Sequence, residues 1–145
     1  MDDLQKAAKI AFASEFSFAL KAQNFHWNVE GPLFESYHAL FEKIYNEVYD
    51  NVDAFAENLR KLGTFAPASL ERFSMLTQID DETDILPVEA MVQELLADTD
   101  KMSKILKIVY DRAEAAGKHG FSNFLAERMD GYAKHAWMLR ASIKG

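Results

Sequence analysis

One pattern constrains this chain more than any other: mostly apolar residues return every three or four positions from Phe34 to Leu62 without a break. The series Phe34, His38, Phe41, Tyr45, Val48, Val52, Phe55, Leu59 and Leu62 stays on one face of a chain that turns every 3.6 residues or so. It predicts a long amphipathic helix. Pro32 stands just before it, and Gly63 just after it supplies a left-handed stop.

The flanking segments read the same way. Leu4, Ile10, Ala11, Phe12, Phe16, Ala19, Leu20 and Phe25 keep helical spacing, and no proline or glycine interrupts residues 1–30, so a first helix fills that span. Residues 64–87 carry Pro67 and the acidic run Asp80-Asp81-Glu82, and read as a long connection with a short helix beginning at Ser69. Met91, Leu95, Met102, Ile105, Leu106, Val109 and Ala113 give a third long helix ending near Gly117. Gly120 then opens a fourth, with Phe121, Phe124, Leu125, Met129, Tyr132, Ala136 and Trp137 along its apolar side. A crossover between the second and third long helices makes an all-α, ferritin-like four-helix bundle, occupying residues 1–145 as a single domain.

Composition removes several function classes. With no cysteine there is no disulfide, no thiol nucleophile and no Cys-based zinc site, so a metal must be held by His, Asp, Glu or backbone. A net charge of -7 and a pI near 5.1, with no gathering of basic residues, work against binding a polyanion. The opening Met1-Asp2-Asp3-Leu4 lacks a signal-peptide pattern and no stretch reaches the roughly 18 apolar residues of a membrane span, so a cytoplasmic protein is expected. Gly-rich phosphate loops and hydrolytic Ser/His/Asp motifs are absent.

Potential metal ligands follow a different rhythm. After His26 they recur at His38, Glu42, Asp53 and Glu57. At about 100° per residue, Glu42, Asp53 and Glu57 lie about 40°, 60° and 100° from His38, so the four form a stripe on one side of the second helix. Glu42 and Asp53 are about 16 Å apart along the axis, too far to share one ion. Two copies of the helix packed antiparallel about a two-fold axis would bring the His38 and Glu42 end of one chain beside the Asp53 and Glu57 end of the other. Such N/O ligands suit iron, manganese or zinc. The spacing alone leaves open that the acids are a solvated helix face and the histidine a core residue.

A second constellation competes. Glu35-Ser36-Tyr37-His38 is the Glu-x-x-His of carboxylate-bridged di-iron bundles, but that chemistry needs two copies. His119 and His135 follow Ala116 and Tyr132 at the matching offset, so an intrachain di-iron site is not expected. His135 and Trp137 read as residues packed against neighbouring helices, and His119 as a solvated loop residue.

Together, His26-Trp27-Asn28-Val29, Gly31, Phe34, His38, Glu42, Asp53, Ala56-Glu57 and Leu62-Gly63 closely resemble the signature of the Dps family, the starvation-induced mini-ferritins. The closing segment Lys134-His135-Ala136-Trp137-Met138-Leu139-Arg140-Ala141 resembles that family as well. The resemblance implies a hollow dodecamer with ferroxidase sites between two-fold related subunits, at most two iron sites per subunit-pair interface, and zinc or manganese as substitutes. It implies that His26 of one subunit and Asp53 with Glu57 of its partner hold the first iron, with His38 and Glu42 positioning a second iron or a water. Fe(II) would be oxidised preferentially by hydrogen peroxide and the ferric product stored as mineral, protecting against oxidative damage. Trp27 is similar to the family tryptophan that intercepts stray oxidising equivalents, with core packing as the alternative.

Three features depart from the family pattern. The acid after the second histidine is usually Asp, and here is Glu42, whose extra methylene bears on the second iron position. No Lys/Arg-rich tail of the DNA-binding members is present, so appreciable DNA binding at physiological salt is not expected. The start of the last helix offers His119, Asn123, Glu114 and Glu127 where the family usually rings its iron pore with acids, which implies a weaker funnel. Two other readings are a shell acting mainly as a DNA-binding nucleoid protein, and one whose metal sites are vestigial or zinc-occupied.

Overall fold

The long periodic segment forms one helix, α2, Phe34–Lys61, of 28 residues, about 42 Å from end to end. In the computed structural model, which describes residues 2–144, it is one of five helices: α1 Asp3–Asn28, α2, α3 Leu70–Leu76, α4 Val88–Ala115 and α5 His119–Ile143. No strand occurs among the described residues, and no helix there is long and apolar enough to cross a membrane.

Local chemistry sets the boundaries. Asp2 and Gln5 close a capping box at the start of α1, the Gln5 amide donating to Asp2 Oδ1 at 2.7 Å and the Asp2 amide to Gln5 Oε1 at 3.2 Å. The short 29–33 turn returns the chain antiparallel, and Gly31 takes φ +130°, which a side chain rarely adopts. Gly63 stops α2 at φ +87°, as its place in the sequence implies. Ser69 caps α3, its hydroxyl accepting from the Arg72 amide at 3.2 Å. The last helix starts one residue before Gly120, at His119, because Gly117 at φ +72° has already ended α4.

Packing runs from α2 to α1, from α1 to α4 and from α4 to α5, with the α2–α5 seam the lightest. Residues 62–87 carry the chain along the bundle between α2 and α4, the one long crossover of the ferritin-like arrangement. They are pinned from within: Phe73 stacks on Phe16 at 4.5 Å, Asn24 Nδ2 donates to the Glu82 carbonyl at 3.1 Å, and the Gln78 amide donates to Ser14 Oγ at 3.0 Å. The core is Phe12, Phe18, Phe25, Phe41, Ile44, Val48, Phe55 and Leu59 against Leu95, Met102, Leu106 and Leu125.

Two expectations need correction. At its start α2 buries Tyr37 and Leu40 rather than the predicted Phe34, which stays exposed beside His38, because the helix enters the bundle rotated toward its Tyr37 side. Trp137 does not pack among the helices of its own chain: it is 62% exposed, on a surface shared with Leu33, Tyr37 and Met138. His135, paired with it in the sequence reading, is buried as expected.

Candidate metal centre

His26 lies in the last turn of α1 and His38 in the second turn of α2, brought together by the tight turn between them. Their rings stack at 3.7 Å between centroids, 14° from parallel. Each ring holds the other chain segment. His26 Nδ1 lies 2.7 Å from the His38 carbonyl, and His38 Nδ1 lies 2.6 Å from the His26 carbonyl. A carbonyl oxygen only accepts, so both Nδ1 atoms carry the proton and donate.

The bond from His38 has a local reason. The closing carbonyls of a helix lack amide partners, and the His26 carbonyl in the last turn of α1 receives the His38 ring instead. The consequence is chemical: in the neutral ring each Nε2 is the nitrogen with the free lone pair, held in a fixed direction, the usual arrangement of a metal-binding histidine whose other nitrogen is tied to a carbonyl. Phe34 stacks on the outer face of His38 at 4.8 Å and Tyr45 meets His26 edge-on at 5.2 Å, so neither ring can turn freely.

The carboxylates stand apart from this pair. Glu42, Asp53 and Glu57 all lie exposed on α2, as the stripe requires, but Asp53 and Glu57 are several turns beyond the histidines. Among the described residues, no three His, Asp or Glu side chains of one chain are close enough to hold an ion. His26 is buried, His38 half-buried, and Trp27 is 62% exposed beside Phe34 and Ile85, which removes packing within its own chain as its role. His119, at the start of α5, is also exposed, with Nδ1 2.5 Å from Glu114 Oε2.

Sequence reasoning missed a buried ionic cluster in the middle of the bundle. Arg128 on α5, only 2% exposed, donates through Nε to Glu15 Oε1 at 2.8 Å and through Nη2 to Glu47 Oε1 at 3.2 Å, with Nη1 bonding Glu47 as well. His135 Nε2 donates to the same Glu47 Oε1 at 2.8 Å. Burial would raise the Glu47 carboxyl, but hydrogen bonds and positive charge from His135 and Arg128 bring it down to about 2. Burial pushes the Glu15 carboxyl up, opposed by the Arg128 guanidinium, and raises the fully buried Tyr132 hydroxyl. The signal available in the sequence was Arg128 itself, one helical turn before Tyr132 on the apolar side of α5.

Comparisons with known proteins agree with this architecture. Residues 5–144 match the family described as ferritin-like domain. DNA protection during starvation protein 2 of Bacillus anthracis is 31% identical over 123 residues, covering 85% of this chain and 84% of that protein. The crystal structure of Dps from Staphylococcus aureus superposes with a TM-score of 0.93 at 29% identity, covering 99% of this chain and 96% of that one. That of a Dps protein from Vibrio cholerae, described as a member of a broad superfamily of ferritin-like diiron-carboxylate proteins, gives 0.92 at 26% identity, covering 97% and 89%.

Proposed function

From the premise that this chain belongs to the ferritin-like family, and within it to the Dps mini-ferritins, we propose that it oxidises Fe(II) at sites shared by two subunits and stores the ferric product in a closed shell. The observation that carries this reading is the reciprocal lock between His26 and His38, which directs both rings by the fold while no group of three ligands from the same chain, among the described residues, completes a site. A partner related by two-fold symmetry supplies what is missing. His26 takes the first iron with Asp53 and Glu57 of the second copy, and His38 with Glu42 sets the second iron or its water.

Iron is the substrate of this reaction. Two Fe(II) ions give one electron each to hydrogen peroxide; its O–O bond breaks, and with two waters the products are two FeOOH and four protons. The acidic stripe on α2 favours the divalent ion, and the fixed imidazoles hold it where the electrons leave. Both partners of the Fenton reaction are consumed together. Trp27, exposed and next to His26 in sequence, gives an electron to an oxidant that escapes in this reading. Dodecameric assembly, a cytoplasmic setting and weak DNA binding belong to the same reading, the last because the net charge is -7.

The test adds Fe(II) anaerobically, then peroxide or oxygen, and follows ferric absorbance. The Asp53→Asn, Glu57→Gln variant is expected to lose about 100-fold or more in rate, a loss of roughly 2.7 kcal/mol of barrier lowering. Equal rates in the variant and the parent protein would end the ferroxidase reading.

A further inference from the structure

Between the Gln78 amide, tied to Ser14, and the start of α4, residues 79–87 run outside any helix, and of their side chains only Ile79 is buried. A stretch with so little burial stays in place only through its polar ties. Glu82 supplies one on each side: its carbonyl receives Asn24 of α1, and its carboxylate meets Glu94 of α4.

Two carboxyl groups side by side cannot both ionise without repulsion, so the surroundings decide which keeps a proton. The Asp84 amide donates to Glu82 Oε2 at 3.0 Å and, with the hydrogen bond from Glu94 and the charge of Lys21, holds the Glu82 carboxyl below its usual range. Burial pushes the Glu94 carboxyl up, and its bond to Glu82 adds to this against the pull of Lys21. Glu94 therefore donates and Glu82 accepts.

Lys21 does not replace that proton. Its buried ammonium bonds Asp98 Oδ2 at 2.8 Å and lies 3.5 Å from Glu94 Oε2, a buried oxygen with no well-formed hydrogen bond among the described residues. Asp98, raised by burial against Lys21, brings further negative charge, and Asp80 adds to it from the crossover. Lys101, exposed and 4.0 Å from Asp98 Oδ1, offsets little of this. Three carboxyl groups share one buried ammonium, and the cluster is best satisfied with one of them protonated.

We propose that the Glu94–Glu82 pair is a proton-dependent latch: it holds residues 79–86 across the seam between α1 and α4 while Glu94 keeps its proton, and releases them as Glu94 ionises. Glu94 is raised above its usual value near 4.5, so the latch is complete near that pH and weakens above it, by up to about tenfold per pH unit until Glu94 ionises in the closed form. On the acid side Glu82 takes up a proton and the hold weakens again. The device works whether or not the chain oxidises iron.

Hydrogen exchange of the 79–86 amides in the intact protein, corrected for the intrinsic rate at each pH, reads the latch directly. Protection in the parent protein is expected to fall about tenfold between pH 5 and pH 8, while amides in the middle of α4 keep theirs. Glu94→Gln, whose amide donates to Glu82 at any pH, should hold the 79–86 protection constant over that range. Glu82→Gln should flatten the profile too, its amide donating to an ionised Glu94. The proposal is overturned if protection of 79–86 in the parent does not change with pH, or if either variant follows the parent's profile.

Discussion

This chain carries two groups of histidine and carboxylate, and they differ in whether the chain can satisfy them alone. In the core, Arg128 of the same chain bonds Glu15 and Glu47, and His135 bonds Glu47, so α1, α2 and α5 are joined by one ionic cluster. At the α1–α2 turn, His26 and His38 are locked in direction by their Nδ1 bonds, while Asp53 and Glu57 lie exposed far along α2. Polar groups partnered within one chain are a stability device; histidines fixed in direction but unpartnered at Nε2 are what the proposed intersubunit site requires.

The largest expected effect breaks the inner group. Arg128→Ala leaves the buried Glu15 and the part-buried Glu47 without their guanidinium and should cost about 3–5 kcal/mol in urea unfolding, whereas Asp53→Asn, at an exposed position, should change subunit stability by less than about 0.5 kcal/mol. A similar cost at both positions would erase the distinction.

A smaller effect follows from acid. The Glu47 carboxyl is held at about 2, below its usual value near 4.5, so its contribution is complete above about 4.5 and is lost as pH falls toward 2. Glu47 keeps 34% of its side chain exposed, so screening reduces that contribution to on the order of 1 kcal/mol. Glu15, raised by burial, acts in the opposite sense. Acid unfolding of Glu47→Gln beside the parent isolates the difference: the variant should lose less stability than the parent between pH 5 and pH 3, by roughly half this amount.

How much of this was legible in the sequence depended on the range of the interaction. The long helices were readable because periodicity and the stops at Gly63 and Gly117 are local. The ligand stripe on α2 was readable for the same reason, since helix geometry alone places His38, Glu42, Asp53 and Glu57 on one side. The stacking of His26 on His38 and their exchange of Nδ1–H bonds were not, because they depend on how the 29–33 turn aims two helices. The Arg128 centre was out of reach as well: Glu15 and Arg128 are 113 residues apart, and nothing in either neighbourhood announces the other. The exposure of Trp137 contradicted a pattern that, read along one helix, looked apolar and therefore internal.

The central claim is that the oxidising site is divided between two chains, and mixing two inactive chains tests it directly. One carries His26→Ala with His38→Ala, the other Asp53→Asn with Glu57→Gln; each alone forms only incomplete sites. Co-assembled in equal amounts, half of the two-fold interfaces pair unlike chains, and each of those rebuilds one complete site from the intact histidines of one and the intact acids of the other. The account predicts that the mixed assembly recovers about a quarter of the parent rate of peroxide-driven Fe(II) oxidation. A mixed assembly no faster than either component would contradict it and place the chemistry within one chain.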